Sequence, residues 1–129
     1  MKTCLIQPAY CMDFSQSDTY FEWEIEALGQ CDASMDLIVL PEYSNVPCLA
    51  NTKEEMLESY HKYSQRLLDK ASETAKRCDA VVFVNCIYET PTGLRNTTVA
   101  FDRTGAIAGH YFKQHLVPSE MIYIHFRRN

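Results

Sequence analysis

The sequence lacks the features that mark nucleic-acid-binding and membrane proteins. The 129 residues hold 12 Lys and Arg against 17 Asp and Glu, a formal net charge of −5. Such a balance gives no basic stripe for a phosphate backbone. No apolar run approaches the length of a bilayer span, and the apolar stretch after Met1 is too short for a signal peptide. We therefore expect neither a nucleic-acid partner nor a membrane partner.

Metal and cofactor signatures are missing as well. The six cysteines form no CxxC or other metal-ligand spacing, and no glycine-rich nucleotide loop occurs. Several of these cysteines lie inside apolar runs, which favours buried free thiols in a reducing compartment. A disulfide framework is the alternative, less favoured because the chain has enough core-forming segments without one. We expect a cytoplasmic protein with no metal and no cofactor.

What the sequence does contain is the pattern of one α/β domain. Hydrophobic residues make up 47% and charged residues 22%, the balance of an ordinary globular protein. Apolar runs and helical spacing predict the order β-α-β-α-β-β-β, a parallel sheet with helical crossovers followed by antiparallel strands. The predicted strands are 3–8, 36–40, 80–88, 94–101 and 106–112, and the predicted helices are 18–30 and 52–77.

Two details of the helices can be predicted. In the first helix, the apolar spacing places Glu24, with Glu22 and Glu26, mostly away from the buried face. In the second, Thr52 followed three residues later by Glu55 predicts a capping box at the helix start.

The stretch DLIVLPEYSNVP at 36–47 places a carboxylate where ligands commonly bind. Glu42 directly follows a buried apolar run that Pro41 closes. In open α/β sheets, ligands bind at the carboxyl ends of the strands. An apolar wall behind the carboxylate can raise its pKa toward the range of a general base. The alternative is a residue that caps a turn or pairs with a surface arginine.

A second candidate, Lys113, lies in HYFKQHLVPSE at 110–120, where the last strand gives way to an irregular segment closed by Pro118. The two aromatic residues before the lysine are expected to enclose part of its stem. A solvated surface lysine is the alternative.

Together, LPEY at 40–43 and NTTVAFDRTGAIAGHYFKQHLVPSE at 96–120 resemble the carbon–nitrogen hydrolase (nitrilase) family. The resemblance covers nearly the whole chain, to about Glu120. It implies the N-terminal part of an α-β-β-α sandwich, with a mixed sheet and two helices on one face. It also implies a general base at Glu42, a second catalytic residue at Lys113, and a small amide, carbamoyl or nitrile substrate.

The resemblance suggests roles for four neighbouring residues. Glu120 resembles a further glutamate that positions the lysine or the substrate. His115 is interpreted as a structural hydrogen-bonding residue that orients the lysine loop. Tyr43 and Asn45, which follow the base, either line the pocket or fill the turn, and the sequence leaves both alternatives open.

The family's nucleophile is a cysteine on a later strand, C-terminal to the lysine. No cysteine follows residue 86 here, and Cys48 and Cys86 precede the lysine. We therefore interpret 1–129 as a single truncated domain without its nucleophile, with a divergent tail at 121–129. The alternative is an inactive fragment that only folds or associates.

The predicted strands are apolar on both faces, whereas two helices can cover only one face. The uncovered face is expected to make the chain self-associate or form a homo-oligomer.

Overall fold

The computed structural model describes residues 1–122 and 124 of the chain. Two single turns of 3-10 helix, Phe14–Gln16 and Glu120–Ile122, accompany seven larger elements in the predicted order. These are β1 (Thr3–Leu5), α1 (Ser17–Gln30), β2 (Leu37–Val39), α2 (Lys53–Cys78), β3 (Val81–Thr90), β4 (Gly93–Phe101) and β5 (Ile107–Phe112). β1 and β2 are shorter than their apolar runs, and β3 is longer. Most of the predicted tail, 121–129, lies outside the described residues.

The five strands form one mixed sheet in chain order. β1, β2 and β3 are parallel, so that Ile38 is paired with Cys4 on one side and Val82 on the other. β4 and β5 are antiparallel additions. The predicted fold class, a mixed sheet with two helical crossovers, is confirmed.

The ends of α2 follow the capping rules. Thr52 Oγ1 accepts a hydrogen bond from the Glu55 backbone N–H at 3.1 Å. The Glu55 carboxylate accepts from the Asn51 N–H at 2.6 Å, one residue earlier than in the usual capping box. At the other end Asp79 adopts a left-handed conformation (φ 50°), and its N–H bonds the last carbonyls. The predicted start of α2 is thus confirmed.

The core lies between the helices and one face of the sheet. Strand side chains on that face are fully enclosed, as at Ile38, Val82 and Val84, where they pack with residues of both helices. Their sequence neighbours point to the opposite face, where Leu37, Val39, Val81 and Phe83 are only half-buried. Leu5 on β1 is 72% exposed. Within the described residues, the two helices leave this second face open.

Glu24 corrects one expectation. It is 1% exposed, on the same stripe of α1 as Phe21 and Leu28. Positions 21, 24 and 28 are spaced by three and four residues, so the 3.6-residue period puts them on one face. Within the described part of the chain, Glu24 Oε2 has no hydrogen-bond partner. Burial raises the Glu24 pKa from 4.5 to about 8, since it disfavours the charged form.

All six cysteines are free, and all but Cys4 are buried. The expected buried thiols are therefore present, and no disulfide framework exists. No helix among residues 1–122 is both long and apolar enough to cross a membrane.

Candidate active site

The structure brings Glu42 and Lys113 into contact although 71 positions separate them. Glu42 lies just past the end of β2, and Lys113 lies just past the end of β5. The Lys113 backbone N–H donates to the Asn96 carbonyl at 2.9 Å, which holds the lysine beside β4. Its ammonium Nζ lies 2.9 Å from Glu42 Oε1. The two strand ends therefore meet at one edge of the sheet, as expected from the sequence.

A second carboxylate, Glu120, completes the charge cluster. Its oxygens lie 3.0–3.2 Å from Lys113 Nζ, and it also accepts from the Val117 N–H at 2.8 Å. The Tyr43 hydroxyl and the Asn96 amide donate to it as well. Burial alone would raise the Glu120 pKa, but these donors together lower it to about 2. Glu120 is therefore ionised whenever the cluster is formed at neutral pH.

Lys113 lies between the two carboxylates. Its hydrogen bond to Glu42 is the largest cause of a raised lysine pKa, and Glu120 adds to it. The lysine is therefore a fixed cation. Asn96 and Lys113 both donate to Glu42 Oε1, and among the described residues none donates to Oε2. The Glu42 side chain is 52% exposed and lines the cleft described below.

The turn after Glu42 has a specific backbone conformation. Tyr43 has φ 60°, an uncommon value for a residue that is not glycine, and its N–H donates to Asn85 Oδ1 at 2.9 Å. The Tyr43 side chain lines the cleft and reaches Glu120. Burial and the hydrogen bond to Glu120 raise the Tyr43 pKa, so its hydroxyl stays protonated and donates.

Of the two alternatives for Asn45, lining the pocket or filling the turn, the structure shows the second. It is fully buried, and its side chain pairs with both the N–H and the carbonyl of Ile87 at 2.9 Å. The Ser44 N–H donates to the Asn85 carbonyl in the same way. These bonds satisfy the edge of β3 beyond the end of β2. Asn45 therefore fills the turn and supports the site from behind.

His115 does not have the expected contact role. It is exposed in a bend after β5 and makes no hydrogen bond to any described residue. The Lys113 N–H is instead anchored by the Asn96 carbonyl, so the lysine segment needs no contribution from the imidazole.

Two residues of the cluster were missed as contacts from the sequence. Asn96 is the first residue of the stretch 96–120 that carries the resemblance, which implies no role for it, and Asn85 lies in the predicted strand 80–88. A signal for Asn85 was present, because a polar amide inside the run AVVFVNCIY requires a hydrogen-bond partner.

A cleft of about 560 Å³ opens in front of the cluster. Glu42, Lys113 and Glu120 form its charged side, and apolar residues including Val46, Leu49, Met56 and Val117 line the rest. An apolar cleft with a few convergent polar groups is typical of a small-molecule site. Within residues 1–122, no three His, Cys, Asp or Glu side chains are grouped so that they could hold a metal ion.

Cys48 lies in the wall of the same cleft, beside Cys11. Its thiol is almost wholly buried, and burial is the largest cause of a pKa raised to about 12. Because the thiolate is the nucleophilic form, Cys48 is poorly suited to attack a substrate. Cys86 lies on the helix-covered face, and burial likewise raises its pKa to about 12.

Comparison with known proteins agrees with the fold and identifies a family. The carbon-nitrogen hydrolase family model matches residues 4–129. A carbon-nitrogen hydrolase from Helicobacter pylori G27 superposes with a TM-score of 0.69 at 21% identity, over 97% of this chain and 44% of that one. The C. elegans NitFhit protein gives 0.63 at 18% identity, over 89% and 27%. An N-terminal amidase gives 0.71 at 17% identity, over 95% and 30%. No curated protein sequence matches significantly.

The chain thus spans less than half the length of the solved structures that it matches. The implied fold, the N-terminal part of the nitrilase-type sandwich, is confirmed by these superpositions. Because the family model matches almost every residue, the chain belongs to the carbon-nitrogen hydrolase family.

Proposed function

We propose that this chain supplies the general base and the fixed cation of a hydrolase that cleaves non-peptide carbon–nitrogen bonds in small amides, carbamoyl compounds or nitriles. The observation that carries the proposal is the 2.9 Å contact between Glu42 Oε1 and Lys113 Nζ at the mouth of an apolar cleft. One carboxylate oxygen is engaged by the lysine, and the other, which has no hydrogen-bond partner among the described residues, is proposed to accept the proton.

The proposed chemistry is acyl transfer through a thioester. Glu42 takes the proton of a cysteine thiol, and the thiolate attacks the nitrile or amide carbon. The Lys113 ammonium stabilises the charge that develops on the attacked group. Glu42 then returns its proton to the leaving ammonia or amine and activates the water that releases the acid. The thiol would come from a cysteine outside these 129 residues, since none follows Lys113 here.

Glu120 and Tyr43 are proposed as supporting residues. Glu120 holds the lysine from the side opposite Glu42, and the Tyr43 hydroxyl holds Glu120. Neither requires a metal or an organic cofactor for its role.

An inactive fragment is the second candidate function. In this case the 129 residues only fold or associate. On this reading the 129-residue chain alone releases no ammonia from any amide or nitrile. Ammonia release that is lost in Cys48→Ala would instead assign the nucleophile to the cleft wall.

The test is an ammonia-release screen of the complete gene product over small amides, carbamoyl amines and nitriles. We expect Glu42→Gln and Lys113→Met to lower kcat/KM by at least about a hundredfold, because each removes a charge used in the transition state. Exposed residues at the start of α2 provide matched controls, Glu54→Gln and Lys53→Met. Activity that survives both site variants would refute the catalytic roles.

A further inference from the structure

The side-chain amides of Asn85 and Asn96 link the Glu42 carboxylate to the backbone N–H of Tyr43, the residue that follows the proposed base. Asn96 on β4 is 1% exposed, and its Nδ2 donates to Glu42 Oε1 at 2.7 Å and to Glu120 Oε1 at 2.9 Å. An amide nitrogen has two hydrogens, so both are used. The reversed amide would present Oδ1 to two carboxylates, which is repulsive.

Asn85 on β3 fixes which way the Asn96 amide points. Its Nδ2 donates to Asn96 Oδ1 at 2.8 Å and to Thr98 Oγ1 at 3.2 Å. With its Oδ1 engaged in this way, Asn96 can turn only its nitrogen toward the carboxylates. The orientation of each amide follows from the network as a whole.

The polarity of the pair is set by a group that cannot be reversed. Asn85 Oδ1 accepts from the Tyr43 backbone N–H at 2.9 Å, and a backbone N–H can only donate. The order of donation therefore runs from Tyr43 through Asn85 and Asn96 to Glu42. Because Tyr43 directly follows Glu42, the bonds close a ring through the chain itself.

We propose that Asn85 and Asn96 are positioning residues, which orient Glu42 and Glu120 toward Lys113 through amides whose direction is set by the Tyr43 N–H. The inference deepens the proposed function, since its catalytic consequence depends on Glu42 being the base. With Oε1 held by Asn96 and Lys113, the proton-accepting Oε2 keeps a fixed place at the cleft.

The alternative is that Asn85 merely satisfies the turn and contributes nothing to the charge cluster. The two accounts differ in what happens when Asn85 loses its amide while Asn96 stays. If the pair acts in series, Asn96 Oδ1 loses its donor, and the Asn96 amide holds the two carboxylates less firmly. If Asn85 serves only the turn, the cluster is unchanged.

The test compares Asn85→Leu with Thr98→Val in the 129-residue chain. Leucine keeps the approximate size of asparagine on a half-buried position and adds no charge. Thr98→Val removes the other acceptor of Asn85 Nδ2 but keeps the path from Tyr43 to Asn96. The readout is the titration of Glu120, followed by carboxyl ¹³C chemical shifts, with circular dichroism to check the fold.

We expect Asn85→Leu to raise the Glu120 pKa from about 2 by roughly one pH unit or more, and Thr98→Val to leave it unchanged. An unchanged Glu120 titration in folded Asn85→Leu would overturn the proposal, as would equal shifts in both variants.

A second measurement needs no variant and serves if Asn85→Leu does not fold. Scalar couplings across hydrogen bonds in the wild-type chain report donor and acceptor directly. A coupling from Asn85 Nδ2 to Asn96 Cγ supports the assigned direction, and one from Asn96 Nδ2 to Asn85 Cγ overturns it. If the gene product proves inactive, the proposed function fails, whereas these readings of amide direction stand or fall independently.

Discussion

Two buried glutamates, one on each side of the sheet, show how differently its two faces are built. Glu24 lies in the helix-covered layer with one oxygen unpartnered among the described residues, and burial raises its pKa to about 8. Glu120 belongs to the charge cluster next to the open face, and its donors lower its pKa to about 2 despite burial. Burial is common to both, so the difference lies in the partners.

The comparison separates packing from function. The covered face is closed by apolar side chains, and the Glu24 carboxyl group there is favoured in the neutral form. The polar network at the other side gathers charges, and its donors keep a carboxylate ionised beside a fixed lysine. In this domain, the carboxyl group whose shift comes from specific partners lies at the candidate site, whereas the one shifted by burial alone lies in the core.

The largest expected effect concerns the open face itself. Half-buried Val39, Val81 and Phe83 lie there, together with the exposed Leu5. Leaving several hundred Å² of apolar surface in water forgoes on the order of 10 kcal/mol, comparable to the net stability of a domain. We propose that the isolated chain self-associates through this face, and size-exclusion chromatography with urea unfolding measures it.

Substitution of Leu5 and Phe83 by lysine is expected to reduce this association. Trp23→Lys on α1, at a residue 46% exposed, is the control and should change nothing. A monodisperse wild-type monomer with one steep unfolding transition would contradict the proposal.

The next effect concerns the pH dependence of stability that buried Glu24 causes on the helix-covered face. A carboxyl group whose pKa is raised on folding favours the folded state least at high pH. The stability that neutral Glu24 contributes is therefore fully present below pH 4.5, falls as the pH rises toward 8, and then levels off. Glu24→Gln removes this dependence. Between pH 4 and pH 9 the variant should gain on the order of 4 kcal/mol relative to wild type.

Urea unfolding at several pH values measures the Glu24 effect. Exposed Glu26 on the same helix provides the control variant, Glu26→Gln. Parallel pH profiles for wild type and Glu24→Gln would show that Glu24 is not desolvated in the folded state.

The opposite pH dependence is expected at the cluster. Because folding lowers the Glu120 pKa from 4.5 to about 2, its contribution is present above pH 4.5 and is lost as the pH falls toward 2. Glu120→Gln should therefore cost on the order of 3 kcal/mol at pH 7 and almost nothing at pH 2. Thermal unfolding across this range tests it, and an equal cost at both pH values would rule out a charge effect.

The contrast between Glu24 and Glu120 also shows what the sequence could predict. The periodicity of apolar residues, every two positions in strands and every 3.6 in helices, predicted the elements and their order. It does so because it reflects which side chains avoid water. The prediction for Glu24 is wrong because a charged side chain usually stays exposed, whereas the spacing from Phe21 and Leu28 puts this one on the buried face of α1. Glu42 and Lys113 are predicted from their positions after strands together with the family resemblance, and the structure shows that their strands end at the same sheet edge.

The amide pair was beyond the reach of such patterns. Asn85 and Asn96 lie on neighbouring antiparallel strands, and their contact depends on the register of β3 against β4. Register is a tertiary quantity, fixed by the turn and the packing, so local spacing does not reveal which polar residues meet.

The smallest effect sharpens the comparison with two adjacent residues. Val81 and Val82 share one strand, and each is paired with a residue of β2, but they point to opposite faces. Val82 is fully enclosed against the helices, whereas Val81 is half-buried on the open face.

Val82→Ala loses two packed methyl groups and leaves a cavity, for a cost of about 2 kcal/mol. Val81→Ala loses methyl groups that solvent already reaches, and should cost less than about 1 kcal/mol. Because β-propensity and backbone pairing change equally in the two variants, the difference in unfolding free energy isolates the cover on each face. Because self-association would cover Val81 as well, the two variants are compared in the chain that carries Leu5→Lys and Phe83→Lys, and equal costs in urea unfolding of that chain would mean that residues beyond Ile124 cover the second face.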